Sequence, residues 1–372
     1  MGTRLKNWKP LFQNDDVMKA TPLFSSIFLT LAIGLTSSHS LNAQACPACS
    51  NPALQSSEKL EAGLDTLRKG SFRTTFNLTN GFDYQGGHPN NKGLSPEGDV
   101  IEVPLHNHVV ELDFVRTELA LEYTFAENWS IWLRIPYDVK IQQASVEYPL
   151  PVTAYEREAI LRNRDIHHRS ETYNGVSDLR LLLAHRINGF LLKNGRLDFA
   201  LGTSLPTGRT EENPLTAGEL GLRHLHIQFG SGTFDPLLEL HYAAQISDRL
   251  SLAVFSINKF PFYENTLGYM APIETTSGLS LGYYFSSLLS PRLTLANFSQ
   301  SSAKWNGVDD PNSGLVSWNL TFNLTFSLKN GLIITPGYRM PLAQRTLDDE
   351  GDTFEYGPTF LLNISRPFQA KK

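Results

Sequence analysis

The stretch VSWNLTFNLTFSL, residues 316–328, places Val316, Trp318, Leu320, Phe322, Leu324, Phe326 and Leu328 at every second position, with only Ser, Asn and Thr between them. Side chains on a strand point alternately to its two faces, so this stretch reads as a strand with one apolar and one small-polar face. It runs for thirteen residues, against roughly five or six in a soluble sheet and about 9 to 11 for a tilted strand that crosses a bilayer. Residues 129–141 repeat the pattern: Trp129, Ile131, Leu133, Ile135, Tyr137, Val139 and Ile141 alternate with a face that carries Ser130, Arg134, Asp138 and Lys140.

Working outward, twelve such strands are predicted, near 71–84, 109–125, 129–143, 175–187, 196–206, 234–246, 249–262, 276–286, 291–301, 315–328, 331–343 and 353–368. Their connections sort into two kinds. Short ones, such as Ala126-Glu127-Asn128, Ser247-Asp248 and Lys329-Asn330, alternate with long ones at about 85–108, 144–174, 207–233, 263–275, 302–314 and 344–352. An even strand number with short turns at one end and long loops at the other is the pattern of an outer-membrane barrel, and closure leaves no backbone edge unpaired in lipid. The predicted fold class is therefore all-β, a transmembrane antiparallel up-and-down barrel of about 12 strands. It is placed in the outer membrane of a Gram-negative bacterium, with outer-membrane lipid as its surroundings and its long loops facing outward. The last strand ends on Phe368 before the tail 369–372. It is similar to the aromatic terminal strands through which outer-membrane proteins engage their assembly machinery.

The amino terminus reads as a targeting region. From Met18, a candidate start, a basic Lys19 precedes an apolar run over Leu23–Leu35 and then Ala43-Gln44-Ala45. The run is too short for a spanning helix, which needs about 20 residues, and fits a secretory signal peptide occupying 1–45. Without it the net charge is about −7, a balance that argues against a nucleic-acid partner. The segment 46–70 opens with both cysteines, Cys46 and Cys49, a candidate disulfide or metal pair in an oxidising compartment. Leu60, Leu64 and Leu67 then share one face of a short helix, a possible plug of the barrel 71–368.

Alternation assigns Arg116, Glu118, Glu122, Arg134, Asp138, Lys140, Asp178, Arg180, Asp198, Glu239 and His241 to the lumen face. In lipid a cationic member would cost about 2–4 kcal/mol at the midplane, so these charges point inward. Their mixed sign suits ion pairs that brace a narrow lumen, and equally a selectivity ring. Histidines gather in or beside the first three long loops: His88, His106, His108, His167, His168, His224 and His226. With Cys46 and Cys49, His106, His108, His167, His168, His224 and His226 are the candidate metal ligands, and copper or zinc is the possible ion. The spacing leaves open whether these rings converge or stand apart in solvent. The topology puts the cysteines and the loop histidines on opposite sides of the bilayer. No cofactor is predicted otherwise. Nothing resembles a nucleophile elbow, a zinc-protease helix or a phosphate loop, so no enzyme activity is expected.

Three stretches carry a family resemblance: GVSDLRLLLAHRI at 175–187, ALGTSLPTGR at 200–209 and FGSGTFD at 229–235. They resemble the outer-membrane transporters named for the meta-pathway of phenol degradation, although Ser177 stands before Asp178 where glycine is expected. Asn51-Pro52-Ala53 is similar, more weakly, to the plug of the long-chain fatty acid and hydrocarbon transporters, whose barrel has more strands. The resemblance implies a channel or transporter passing a small solute, of apolar or aromatic character. The alternatives are a metal-handling or electron-transfer accessory barrel and a structural or receptor barrel with a filled lumen.

Overall fold

The computed structural model describes residues 67–224, 228–329, 331–348 and 353–370. The expected signal peptide, Cys46, Cys49 and most of the segment 46–70, with the helix expected there, lie outside them. Chain order is β1 (Ser71–Leu94), β2 (Val100–Ala126), β3 (Trp129–Glu147), α1 (Ala154–His167), β4 (Glu171–Val176), β5 (Leu179–Asn188), β6 (Gly195–Leu205) and α2 (Pro214–Glu219). Then come β7 (Pro236–Gln245), β8 (Leu250–Lys259), β9 (Tyr269–Met270), β10 (Glu274–Tyr283), β11 (Leu289–Gln300), β12 (Lys304–Trp305) and β13 (Val308–Asp309). The chain finishes with β14 (Leu315–Ser327), β15 (Ile333–Thr346), β16 (Thr353–Glu355) and β17 (Thr359–Phe368).

Every long strand pairs antiparallel with its sequence neighbours, and β1 closes the ring on β17 through a ladder from Phe72↔Phe368 to Gly81↔Thr359. Because β4 and β5 both pair with β3, and β16 and β17 both pair with β1, each couple is one interrupted stave. The result is a closed antiparallel barrel of twelve staves. At the seam Phe72 and Phe368 stack with ring centroids 4.6 Å apart. β9, β12 and β13 form a separate small sheet, in which Tyr269 packs on Trp305 at 4.9 Å.

The outer surface follows from the alternation. Phe76, Leu119, Leu121, Ile131, Leu181, Leu201, Val254, Leu279, Leu281, Leu295 and Phe322 are all exposed, and so are the aromatic side chains Tyr123, Phe125, Trp129 and Tyr283 toward the short turns. A continuous apolar girdle of this size would drive aggregation in water and is the favourable surface in lipid. The inner face is not uniformly polar. Trp132, Leu182 and Leu237 pack together inside, and Phe255 and Ile257 form a second inward cluster with Ala243 and Ala253.

Two expectations are corrected. The predicted loop at 85–108 is a continuation of the β1–β2 hairpin, whose ladder runs to Leu94↔Val100 before a tight turn closed by Ser95 N–H to Asp99 O at 2.8 Å. The Gly, Pro and Asn residues there look like loop signals, but register shifts at Gly81/Tyr84 and Asn90/Lys92 absorb the irregularity and pairing resumes. The predicted loop at 144–174 likewise contains a helix. Thr153 accepts from the Glu156 N–H at 3.3 Å, and the Glu156 carboxylate accepts from the Thr153 N–H at 2.7 Å, a capping box that starts α1.

Ala159 and Ile160 of α1 pack on Val103 of the extended hairpin. Gly93 permits that approach, because a Cβ there would lie 2.8 Å from Val103 and 2.9 Å from Ala159. Gly93→Val is therefore expected to lift α1 off the hairpin at a cost of about 1–3 kcal/mol. Limited proteolysis should show faster cleavage between residues 148 and 170, and an unchanged rate would remove this packing role.

Candidate functional site

The charged residues predicted for the lumen lie in the staves from β2 to β7. Arg116 of β2 faces Asp138 of β3 and donates two hydrogen bonds to its carboxylate, at 2.5 and 2.6 Å. Asp138 also accepts from the Ser177 hydroxyl. Arg186 and Asp198, register partners on β5 and β6, pair at 2.6 Å, with Arg196 3.4 Å from the same carboxylate. Glu118 accepts from Asn77 at 3.3 Å, and Glu122 lies 3.9 Å from Arg73. Arg180 sits on the inner face of β5 opposite Arg134.

The pair that crosses the interior is Arg134 with Glu239. Arg134 stands on β3 and Glu239 on β7, with β5 and β6 between them in the ring. Both guanidinium nitrogens donate to the carboxylate at 2.8 Å, and His241 Nε2 lies 2.9 Å from the same carboxylate. Arg134 is 5% exposed and Glu239 1%. A bidentate pair across non-adjacent staves acts as a strut. Arg134 and Glu239 thus link two staves that do not pair with each other.

Lys140 does something else. Its ammonium donates to the carbonyl of Gln228 at 3.0 Å and lies 5.0 Å above the Phe229 ring. It thereby holds the segment after residue 227 down against the inner wall, where Phe229, Ser231 and Thr233 are buried.

Asp178 falls between β4 and β5, and its carboxylate ties loops together. It accepts from the Gly208 N–H at 3.0 Å and from the Ser231 N–H and hydroxyl at 2.7 and 3.0 Å. Thr207 completes the knot: its hydroxyl donates to Ser177 O at 3.0 Å and accepts from the Leu179 N–H at 3.1 Å. The three stretches that carry the family resemblance thus meet at one point. Gly208 and Gly230 are required there, since a Cβ on either would lie within 2.7 Å of neighbouring polar atoms.

β14 and the staves beside it line much of the interior with small groups, although Arg292 and Arg339 also face inward there and Lys259 pairs with Glu274 at 3.3 Å on β8 and β10. Ser317, Asn319, Thr321, Asn323 and Thr325 of β14 are buried, with Thr335, Asn363, Ser365, Thr75 and Asn77 beside them on the neighbouring staves. Toward the long-loop end the wall becomes aromatic. Tyr84, Leu112, Phe114, Phe298, Leu315, Phe354 and Tyr356 form one buried cluster, with the rings of Tyr84, Phe354 and Tyr356 at 5.0 to 6.1 Å.

Above the membrane-spanning part the structure brings six histidines together. His88 and His108 are register partners on the extended hairpin, with His106 two residues further along β2. His167 closes α1 and His168 caps it. His224 joins from the loop after α2, with its N–H bonded to Ile166 O at 3.2 Å. Nitrogen–nitrogen distances are 3.2 Å for His88 to His168, 3.3 Å for His106 to His108 and 2.9 Å for His167 to His224. Ring nitrogens of His88, His108 and His168 all lie within 4.8 Å of one another. Burial holds all six pKa values below the ordinary imidazole value, with that of His88 at about 4, so the rings are neutral at pH 7. His226, Cys46 and Cys49 lie outside the described residues.

A closed ring of membrane-length strands, an apolar girdle, and short turns at one end with long connections at the other decide the class. The protein is an outer-membrane β-barrel. No family model matches the chain, and no curated protein matches it at a significant level. Among solved structures, an outer-membrane channel from Pseudomonas putida F1 is similar at 12% identity and TM-score 0.48, over 82% of this chain and 97% of that one. The toluene transporter TodX of P. putida is similar at 9% identity and TM-score 0.40, over 87% of this chain and 94% of that one. For a FadL homologue of Pseudomonas aeruginosa the values are 12% and 0.36, over 88% and 94%.

Proposed function

We propose that this barrel is an outer-membrane channel for a small solute with an apolar or aromatic part, and that it carries out no reaction of its own. The observation that carries the reading is the division of the inner wall. Most bulky charges between β2 and β7 are locked into ion pairs, while β14 turns only short Ser, Thr and Asn side chains inward along Ser317–Thr325, with Arg292 and Arg339 as the charged side chains on the staves beside it. Such a wall leaves its room along the small-residue staves, where hydroxyl and amide groups can exchange hydrogen bonds with a passing solute. The aromatic preference rests on the cluster of Tyr84, Phe114, Phe298, Phe354 and Tyr356 at the outer end, through which an entering solute would pass. His241 Nε2 is engaged with the carboxylate that Arg134 clamps. Phe368, stacked on Phe72 at the seam, is read as the contact to the assembly machinery, working through the terminal strand.

Swelling of proteoliposomes tests the channel. Wild type is expected to swell faster than empty vesicles and to favour a small aromatic acid over a sugar of equal size. Tyr84→Ala with Phe354→Ala should remove that preference and raise the sugar rate several-fold. Swelling at the empty-vesicle rate for every solute would sink the reading.

A further inference from the structure

The histidine cluster has the construction of a ligand set. His88 Nδ1 lies 3.1 Å from Pro89 O, His106 Nδ1 3.0 Å from Pro104 O, and His224 Nδ1 2.7 Å from Leu222 O. A carbonyl only accepts, so in all three rings Nδ1 carries the proton and Nε2 presents a lone pair. Each of these Nε2 atoms points at another imidazole rather than at solvent. This is the arrangement in which a backbone carbonyl fixes the tautomer and aim of a metal-binding histidine.

His108 supplies a second, independent sign. Because His106 Nε2 accepts, His108 Nε2 is the donor in their contact, which leaves His108 Nδ1 as a lone pair. That nitrogen is buried and has no hydrogen-bond partner, on a residue that is 1% exposed. A buried acceptor left without a donor is unfavourable, and a bound cation would relieve it. One of the three separations already fits, and the other two lie within 4.8 Å. Around a tetrahedral zinc ion with Zn–N of about 2.0–2.1 Å, ligand nitrogens stand about 3.3 Å apart. The His88 to His168 separation is 3.2 Å.

We propose that His88, His108 and His168 bind one divalent ion of the zinc, copper and nickel class on the outer side of the membrane, with His106, His167 and His224 holding the set in place and within reach as further ligands. Imidazole-only coordination suits these borderline ions and disfavours calcium and magnesium, which take oxygen ligands. The ligands come from the β1–β2 extension and from the end of α1, so the ion would cross-link the helix to the hairpin. The site is independent of the channel reading, since a sealed barrel could bind metal equally well.

The test uses the full-length protein folded in detergent, stripped with chelator and dialysed against zinc, copper or nickel chloride before metal analysis. About one equivalent per chain is expected. His88→Ala and His168→Ala should each weaken binding by at least 10-fold. Cys46→Ser with Cys49→Ser, and His185→Ala, should leave it unchanged. Folding of each variant is checked by the heat-dependent shift of its gel band. X-ray absorption of the zinc-loaded wild type gives a readout that needs no variant, with only nitrogen or oxygen neighbours near 2.0 Å expected. No binding by folded wild type, sulfur in the first shell, or loss of binding with the cysteine variant alone would overturn the proposal.

Discussion

Arg134→Ala is expected to lower barrel stability by about 3–5 kcal/mol, because it leaves the Glu239 carboxylate charged, buried and without its bidentate partner. Glu239→Ala should be similarly harmful, since it takes the bidentate carboxylate away from the buried Arg134 guanidinium and removes the acceptor of His241. Arg134→Met with Glu239→Leu should recover most of the loss, because an apolar pair of similar volume carries no desolvation penalty. The measurement is the denaturant midpoint of folding into lipid vesicles for the two singles and the double. Equal stabilities for wild type and both singles would show that the strut across β5 and β6 carries no weight.

The second large effect lies on the outer face. Leu295 sits near the middle of β11, flanked in register by Leu279 and Leu320, and is 40% exposed on the girdle. Leu295→Arg is expected to cost about 2–4 kcal/mol, the penalty for a cation near the bilayer midplane. Val308→Arg adds the same charge at an exposed position of the small sheet formed by β9, β12 and β13. That change should stay within about 0.5 kcal/mol of wild type. If both substitutions cost the same in vesicle unfolding, the girdle does not face lipid.

Strand number, order and face were legible because period-two alternation is long in this chain, and a slip of one residue would turn every Leu and Phe of the girdle inward. β14 shows this most clearly, with Val316 to Phe326 outward and Ser317 to Thr325 inward. The extension of β1 past Tyr84 was not legible. Gly86, Gly87, Pro89 and Asn90 are loop formers by local propensity, and what keeps them paired is the facing strand together with cover from α1. The helix itself had a readable signal in the Thr153-x-x-Glu156 capping box ahead of Ile160, but it stood inside a stretch with no apolar period long enough to draw notice.

The site divides in the same way. The inward charges were readable from alternation, whereas the crossing of Arg134 to Glu239 depends on barrel curvature and on residues 105 positions apart. Asp178 was readable as an inward acidic residue, yet its work is to hold Gly208 and Ser231, two loops that only the closed ring brings together. The histidines could be seen to crowd the outer loops. That His88 faces His108 follows from a register set by two bulges, and that His168 meets them follows from where α1 ends.

Channel function is the central claim, and recording ionic current across a planar bilayer holding the purified, folded protein tests it most directly. Discrete, reproducible conductance steps are predicted for wild type, with larger steps for the Tyr84→Ala, Phe354→Ala protein. A folded barrel that inserts and passes no current in either form would contradict the claim.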